Sequence, residues 1–361
     1  MDHIAEGLLD TNERRDVESR SWYSDEELEK ILRSMRSRIL VAGVGGAGNN
    51  TVTRLKELGI DGVETLAINT DVQDLLSAKA DRKLLIGKEI TGGLGAGNDP
   101  SIGEAAALED FDRIKELVSA DLVFITCGLG GGTGTGASPI VARAAKDQGA
   151  LTVAVCTLPF KVEGKKRLLN AMSGLKKLVK ICDTVIAIPN DRLLSINPDL
   201  TISQAFLLAD EILISAVKGI TELVTKPGLV NVDFADVRTI LEDAGLSLIS
   251  VGESEGENRS TEAVEKVIYN PLLDVDISGA RGALINITGG PDLTLKDVQI
   301  IIERISSMID PEAEIKWGAI IEPSLERFVR ITLIASGIDS SYMVKLLEHL
   351  NAHEVELPGG F

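Results

Sequence analysis

Histidine is almost absent from this chain, which has three histidines, His3, His349 and His353, among 361 residues. Residues 4 to 348 therefore offer no imidazole for a Ser-His-Asp or Cys-His nucleophile, nor for the usual zinc ligands. Any chemistry in that span depends on carboxylates, amides, hydroxyls, Arg, Lys and backbone N–H groups. Those groups suit phosphate chemistry assisted by a hard metal ion.

Cysteine is equally scarce, and apolar runs of membrane-spanning length are missing. The three cysteines, Cys127, Cys156 and Cys182, lie in or beside apolar, strand-like runs without metal-ligand spacing. We interpret them as buried small side chains in a reducing cytoplasm. No apolar run approaches the ~18 residues of a membrane span, and the acidic N-terminus lacks the apolar core of a signal peptide. Direct membrane insertion is therefore not predicted.

Basic residues are outnumbered, since 37 Lys and Arg against 55 Asp and Glu give a net charge of −18. A surface this acidic repels phosphate backbones, so a nucleic-acid partner is not expected. With 44% hydrophobic and 25% charged residues, the chain has enough apolar side chains to bury a sizeable core. At about 100–200 residues per domain, a length of 361 favours two domains.

The alternation of strands and helices predicts an α/β fold. Apolar, strand-like runs are separated by amphipathic helical segments and lie at residues 38–43, 64–70, 83–87, 121–127, 151–159 and 184–190. Continuous apolar strands between helices indicate a parallel sheet that is covered on both faces. In such sheets, ligands bind at the carboxyl ends of the strands.

A second, smaller domain is predicted after a long helix over 202–225, which is apolar on more than one face and suits a central position between two layers. Its strands are predicted at 247–252, 282–289, 314–321 and 327–335. The last two lie close enough in sequence to pair as a hairpin, so a mixed sheet is predicted. A charged extension with a short helix (residues 1–37) and a short helical tail (339–361) flank the two domains, 38–201 and 226–338.

Glycine is concentrated in three loops. Fourteen of the 35 glycines lie at 43–48, 92–97 and 128–136. Residues without side chains let backbone N–H groups approach an anion, and a following helix N-terminus adds a favourable dipole. No Lys follows the third loop, and the pattern G-x-x-x-x-G-K-[ST] is absent, so this is not a P-loop.

The first loop by itself leaves an oxidoreductase open. Residues 43–48 satisfy G-x-G-x-x-G directly after a strand, and Asp71 lies where a ribose-binding acid would sit. A NAD-dependent dehydrogenase is therefore an alternative on this evidence. It has no use for the third loop, however, and the histidine-free body offers no obvious acid for hydride transfer.

The third loop carries a specific resemblance. GGGTGTG (130–136) after an apolar strand resembles the signature loop of the tubulin/FtsZ superfamily, and the chain from about residue 39 to 337 resembles FtsZ, the family of prokaryotic cell-division GTPases. Supporting stretches include GVGGAGNN (43–50), AINTD (67–71), PFKVEGKKR (159–167), IPND (188–191) and NVDFADV (231–237). The charged N-terminal helix and GPDLTL (290–295) resemble archaeal members.

The resemblance implies a tubulin/FtsZ-like fold, with a parallel-sheet GTP-binding domain joined by a long central helix to a smaller mixed-sheet domain. It implies an enzyme that hydrolyses GTP to GDP and phosphate and polymerises head to tail into protofilaments of the cytokinetic ring. It further implies Mg²⁺ held mainly by phosphates and water, other division proteins and membrane tethers as partners, and a cytoplasmic location at the division site. A nucleotide-binding scaffold with little turnover remains a further alternative.

The resemblance also assigns the binding residues. The phosphates would be contacted by Gly45, Gly46, Asn49, Gly131, Gly132, Thr133, Gly134 and Thr135, with Asp71 near the metal and Ala96 and Gly97 reporting the γ-phosphate. Glu163 and Arg167 would hold the ribose, Phe206 would stack on the base, and Asn190 and Asp210 would read guanine. Taken alone, Asp210 is better interpreted as an exposed carboxylate on a helix, and the context of the resemblance reverses that interpretation.

The segment 231–236 has two compatible interpretations. Its spacing predicts a helix start with Asp233 as N-cap and Asp236 at the third helical position. The resemblance makes Asn231, Asp233 and Asp236 the catalytic residues, which complete the active site of the adjacent subunit by positioning or polarising water. An N-terminal helical turn would hold such carboxylates rigidly, so both interpretations can hold.

Two positions depart from the family pattern. Val162 replaces an aromatic residue that is frequent before the ribose-binding glutamate, which predicts looser packing near the sugar. Asp99 stands where Asn is usual in the second loop. A carboxylate there would repel the γ-phosphate unless it is turned away or bound to metal, so its role is left open.

Overall fold

A computed structural model describes Ser24 and residues 37–60, 62–196, 199–226, 228–270 and 277–338. The predicted helix of the N-terminal extension, apart from Ser24, and the predicted helical tail over 339–361 lie outside these residues. The described residues contain ten strands: β1 Ile39–Val44, β2 Val63–Asn69, β3 Arg82–Leu85, β4 Leu122–Gly128, β5 Leu151–Leu158, β6 Thr184–Pro189, β7 Gly245–Glu255, β8 Gly282–Gly289, β9 Glu314–Ile321 and β10 Phe328–Ser336.

The helices of the described residues alternate with these strands along most of the chain. They are α1 Gly45–Leu58, α2 Val72–Ser77, α3 Lys88–Thr91, α4 Pro100–Glu109, α5 Phe111–Leu117, α6 Thr133–Lys146, α7 Lys165–Ile181, α8 Asn190–Ile196, α9 Ile202–Thr225, α10 Phe234–Leu241, α11 Arg259–Ile268 and α12 Leu295–Ser306. A 3₁₀ turn covers Lys161–Glu163. Within these residues, no helix is both long and apolar enough to cross a bilayer.

The strands form one ten-stranded sheet in the order β3-β2-β1-β4-β5-β6-β7-β10-β8-β9. All pairs from β3 to β7 are parallel. The sequence predicts this for the strands up to β6, whereas it assigns β7 to the second domain. The order 3-2-1-4-5-6 is that of doubly wound nucleotide-binding sheets, which bind ligands where the strand order reverses, here between β1 and β4.

The predicted hairpin between the last two strands is wrong, although the prediction of a mixed sheet is confirmed. β10 lies between β7 and β8 and pairs antiparallel with both, while β9 pairs parallel with β8. Sequence proximity favours a hairpin, but pairing with β7 and β8 places β10 where residues such as Ile331, Leu333 and Ile334 are buried. Burial of this apolar strand on both faces outweighs the short connection.

Both faces of the sheet are covered, because alternate residues of one strand belong to different core clusters. In β1, Leu40 and Ala42 pack into one cluster, and Ile39 and Val41 pack into the other. The second cluster includes α9 together with residues of β6, β8 and β10. The long helix is therefore buried against both halves of the sheet, as its apolar composition predicts.

Helix α9 also sets the distance between two functional segments. A capping box of Thr201 and Gln204 starts it, and it continues without interruption to Thr225. With 24 residues at 1.5 Å each, it spans roughly 36 Å. The carboxyl ends of the parallel strands lie beside its N-terminal part, and the segment 228–236 follows its C-terminal end.

Candidate functional site

A cleft of about 330 Å³ lies at the carboxyl ends of the parallel strands. Its lining comes from the segments that follow β1, β2, β4, β5 and β6, and from the first turns of α9. These residues include Val44, Gly46, Asn69, Asp71, Asp74, Gly128, Gly131–Gly134, Thr157, Glu163, Arg167, Asn190, Phe206 and Asp210. The cleft therefore occupies the position that the sheet topology favours for a ligand.

Two helix N-termini meet at one end of the cleft. Helix α1 begins at Gly45, and α6 begins at Thr133. Gly45 has φ +74°, and a Cβ there would lie 2.8 Å from the amide nitrogen of Gly134, so only glycine permits this approach. Converging N–H groups and helix dipoles make this end of the cleft suited to phosphate groups.

Hydroxyl groups reinforce the third glycine loop. Thr133 and Thr70 lie with their Oγ1 atoms 2.6 Å apart, which connects the loop to the end of β2. Thr135 is buried and accepts a hydrogen bond from the Gly130 amide at 2.8 Å. Its hydroxyl thus closes the loop on itself, while the predicted contact of Thr135 with phosphate stays a prediction.

The second glycine loop packs against the third. A Cβ at Gly132 would lie 2.8 Å from the Cβ of Ala96, so the two loops touch at these residues. Asp99 caps α4, and its Oδ1 accepts hydrogen bonds from the amide (2.9 Å) and hydroxyl (2.7 Å) of Ser101. These bonds hold the pKa of its carboxyl below the ordinary value. The carboxylate of Asp99 therefore serves as the N-cap of α4 in this structure.

Glu163 is held from two sides where the sugar is predicted to bind. It accepts from the Phe160 amide at 2.8 Å and forms an ion pair with Arg167. Val162 on the same turn is 92% exposed, so it packs against little within this chain. Phe160 instead meets Phe206 edge to face, with ring centroids 5.5 Å apart. This contact orients Phe206, which is itself 45% exposed and free to stack on a planar ligand.

Two further residues of the cleft lining are a buried amide, Asn190, and a half-buried carboxylate, Asp210. Asn190 is 3% exposed, and its Oδ1 has no hydrogen-bond partner. The Asp210 side chain is 15% exposed, which removes the interpretation of this residue as a fully exposed helical carboxylate. A buried polar atom without a partner is costly, so Asn190 indicates a ligand that would satisfy it.

Burial raises the pKa of the Asp210 carboxyl to about 6, from an ordinary value of 3.8. The nearby Arg54 guanidinium and the Thr51 hydroxyl act in the opposite direction, and Glu211 adds a small increase. Arg54 Nε lies 3.6 Å from Asp210 Oδ2, and Thr51 Oγ1 lies 3.5 Å from Oδ1. The carboxylate is therefore poorly compensated and is suited to accept hydrogen bonds from a ligand.

Eleven of the sixteen predicted binding residues line the cleft: Gly46, Asp71, Gly131, Gly132, Thr133, Gly134, Glu163, Arg167, Asn190, Phe206 and Asp210. The other five, Gly45, Asn49, Ala96, Gly97 and Thr135, lie on the same loops and helices but are not part of the lining. Asn49 is 3% exposed, and neither atom of its amide has a partner. Sequence reasoning missed Asn69 and Asp74, although their place at the end of β2 could have indicated them.

The three predicted catalytic residues do not line the cleft. Asp233 caps α10 and accepts from the Asp236 amide at 2.8 Å, while Asp236 Oδ2 accepts from the Asp233 amide at 3.3 Å. This reciprocal capping box confirms the helix start that the spacing predicts. Asn231 Oδ1 accepts from the Gly228 amide at 2.7 Å. The segment follows the C-terminal end of α9, remote from the cleft.

Comparisons with known proteins give a consistent result. Residues 38–198 match the model of the Tubulin/FtsZ family GTPase domain, and residues 245–339 match the model of the FtsZ family C-terminal domain. The chain is 56% identical over 335 residues to cell division protein FtsZ 1 of Pyrococcus abyssi, which covers 92% of this chain and 90% of that protein. It is 52% identical over 346 residues to cell division protein FtsZ of Methanothermobacter thermautotrophicus, covering 95% and 91%.

The fold comparison agrees. The structure is similar to an empty FtsZ dimer of M. jannaschii with a TM-score of 0.83 and 54% sequence identity, covering 88% of this chain and 92% of that one. The oxidoreductase alternative receives no support, because its G-x-G-x-x-G loop falls within the matched GTPase domain.

Proposed function

The chain belongs to the FtsZ family, and from that membership we propose that it is a GTPase of cell division whose active site is completed by a second copy of itself. The observation that supports the nucleotide assignment is the distribution of polar groups in the cleft at the carboxyl ends of the strands. Two helix N-termini and a glycine loop contribute backbone N–H groups to its lining, and Asn190 and Asp210 contribute an amide and a carboxylate, with Asp210 beside Thr51 and Arg54 in the second and third turns of α1. A guanosine phosphate has an anionic part and a hydrogen-bonding base that suit these two sets of groups.

The guanine end follows from hydrogen-bond complementarity. An ionised Asp210 accepts from both the N1–H and the 2-amino group of guanine, a donor pair that adenine lacks. The orphaned Oδ1 of Asn190 accepts a further donor from the ligand. Phe206 stacks on the base. Glu163 accepts a hydrogen bond from a ribose hydroxyl, while Arg167 donates to the Oε2 atom of Glu163.

The phosphate end would also accommodate Mg²⁺. Asp71 and Asp74 supply carboxylate oxygens at the cleft, and Thr133 supplies a hydroxyl, so the donor set is of the hard-oxygen type that Mg²⁺ prefers. When bound, Mg²⁺ neutralises charge that develops on the transferred phosphoryl group. Asp71 is held by the amides of Gln73 and Asp74, at 2.8 and 3.2 Å, which fixes the direction of its carboxylate.

Hydrolysis needs a second copy because of the distance set by α9. Asp210 lies in the cleft, and Asp236 follows the opposite end of the helix, which continues for 15 residues, roughly 22 Å, from Asp210 to Thr225. In a head-to-tail arrangement, the segment 231–236 of one subunit faces the cleft of the next. Exposed apolar side chains are found both near the cleft, at Leu94 and Val162, and beside the segment, at Leu229. Such side chains are suited to a contact between copies.

We place this activity in the cytokinetic ring, at the division site in the cytoplasm, with other division proteins and membrane tethers as further partners. Family membership supports this assignment. Asp233 and Asp236 argue for turnover and against a scaffold that only binds nucleotide.

GTP hydrolysis measured against protein concentration tests the proposal. We expect the rate per molecule to rise steeply above a threshold concentration at which sedimentation with GTP, but not with GDP, recovers polymer. The reason is that each active site requires two subunits. A rate per molecule that is independent of concentration would contradict the shared site, and GTP binding without hydrolysis at any concentration would favour the scaffold.

The affinity for GDP should fall in acid because of Asp210. The carboxyl has a pKa of about 6 in the ligand-free protein, and only its ionised form accepts both guanine donors. The affinity for GDP is therefore at its maximum when the pH is well above 6. It decreases as the pH falls through 6 and is about tenfold lower at pH 5. Titration calorimetry between pH 5 and 7.5 measures this change.

The Asp210→Asn variant is the control, because any remaining pH dependence of its weaker binding reports titration of the phosphates alone. Equal pH profiles for the two proteins would show that Asp210 does not titrate in this range.

A further inference from the structure

The segment 228–236 is attached to the outer edge of β9. The Leu229 amide donates to the Ala319 carbonyl at 2.8 Å, and the Ala319 amide donates to the Val230 carbonyl at 3.1 Å. Val230 and Ala319 form an antiparallel bridge. A Cβ at Gly318 would lie 2.5 Å from Leu223 Cδ2, so glycine at this position allows the end of α9 to approach the strand. The strand thus supports the segment along its length.

A lysine of the same strand reaches the proposed catalytic carboxylate. Lys316 Nζ lies 2.9 Å from Asp236 Oδ1 and 3.1 Å from Glu314 Oε1. Glu314, Lys316 and Gly318 alternate along β9 and therefore share one face, the face that meets the segment. Asp236 is then bound at both oxygens, since its Oδ2 accepts from the Asp233 amide.

We propose that Lys316 is a positioning residue for GTP hydrolysis, which acts through Asp236 of its own chain on the nucleotide of the adjacent subunit. The proposal rests on the function proposed above. With one oxygen held by Lys316 and the other by the capping box, rotation of the Asp236 carboxylate is restricted, and its direction toward the adjacent nucleotide is set. The ammonium also offsets the repulsion between this carboxylate and the phosphates that it approaches.

The ionisation of the pair is consistent with this role. The hydrogen bond from Lys316 is the largest cause that holds the pKa of Asp236 below its ordinary value, and the same bond raises the pKa of Lys316. The charged groups that face Asp236 are Asp233 on its own helix and Lys316 and Glu314 on β9. Removal of the ammonium removes the largest of the causes that lower this pKa, so the pKa of Asp236 should rise.

Hydrolysis by a Lys316→Met variant tests the proposal. At saturating GTP and equal amounts of sedimented polymer, we expect kcat to fall by about tenfold or more, with KM within about twofold of the unchanged protein. The acid limb of the pH–kcat profile should move to higher pH, because a less stabilised Asp236 carboxylate protonates earlier. Lys316→Arg should restore most of kcat and return the acid limb of the pH–kcat profile to its original pH.

A matched control and a double variant separate positioning from structure. Lys177 on α7 forms an exposed ion pair with Glu104, in which Nζ lies 2.6 Å from Oε2. The control variant Lys177→Met removes this pair and should leave kcat and the acid limb of the pH–kcat profile unchanged. If Lys316 acts only through Asp236, then adding Lys316→Met to Asp236→Asn should cause no further loss.

Three results would overturn the inference. The first is an unchanged kcat and acid limb in Lys316→Met while Asp236→Asn is inactive, which leaves the proposed function intact. The second is a loss of rate that follows only the loss of polymer or of folded protein, with Lys316→Arg equally affected. The third is full activity of Asp236→Asn, which overturns the shared-site function as well.

Discussion

Replacement of Asp236 by Asn should leave GTP binding unchanged and reduce GTP hydrolysis about a hundredfold or more. A positioned carboxylate that acts on water contributes roughly 10²–10⁴ to a rate. The cleft is remote from the substitution, so affinity is preserved. The Asn side-chain oxygen can still accept from the Asp233 amide, as Asp236 does at 3.3 Å, so the start of α10 is retained. Steady-state phosphate release above the assembly threshold measures the effect.

Complementation identifies which subunit supplies the carboxylate. Asp236→Asn has an intact cleft, and Asp210→Asn has an intact segment 231–236. A mixture should hydrolyse GTP faster than the sum of the two separate rates, because the segment of one variant completes the cleft of the other. A mixture that matches the sum would indicate that each subunit uses its own carboxylate, contrary to the proposed function.

Replacement of Asp210 by Asn should weaken GTP binding by about 10²–10⁴. The ionised carboxylate accepts two hydrogen bonds from guanine, and a bond to a charged group contributes roughly 1.5–3 kcal/mol. Asn instead presents an N–H group to the guanine amino group, so a donor faces a donor. The variant should correspondingly gain relative affinity for xanthosine triphosphate, whose base has a carbonyl oxygen at that position. Competition binding with the two nucleotides measures the change.

The neighbouring carboxylate provides the control. Glu211 is adjacent on α9 and does not line this cleft, so Glu211→Gln should bind GTP within about twofold of the unchanged protein. Equal losses in the two variants would mean that general charge, rather than recognition of guanine, determines the affinity, and the assignment of Asp210 would be wrong.

Local sequence patterns predicted most of the strands and several helices. The long helix is predicted with its observed bounds, Ile202–Thr225, because a continuous apolar pattern marks it. The sequence 101–118 has a pattern typical of one helix, but in the structure it is divided into α4 and α5 at Asp110. Helix α7 has no bounds in the sequence prediction, and the structure shows that it buries Ala171 and Leu175.

The binding residues were predicted by motif, and their grouping by the carboxyl-end rule for parallel strands. That rule brings together segments far apart in sequence, such as Asp71 and Asn190, without knowledge of side-chain packing. The rule does not predict how deeply each of these side chains is buried. The burial that raises the pKa of Asp210 depends on how α9 packs against α1, which no periodicity reports.

The sequence alone therefore determined the parallel α/β architecture, the three glycine loops and the capping box of Asp233 and Asp236, because each depends on neighbouring residues and on which face of an element is apolar. Only the tertiary structure decided that β10 inserts between β7 and β8, that the segment 228–236 lies against β9, and that Lys316 meets Asp236 across 80 positions. A hydrophobic pattern specifies that a face is buried, whereas the partner that buries it follows from the packing of the whole chain.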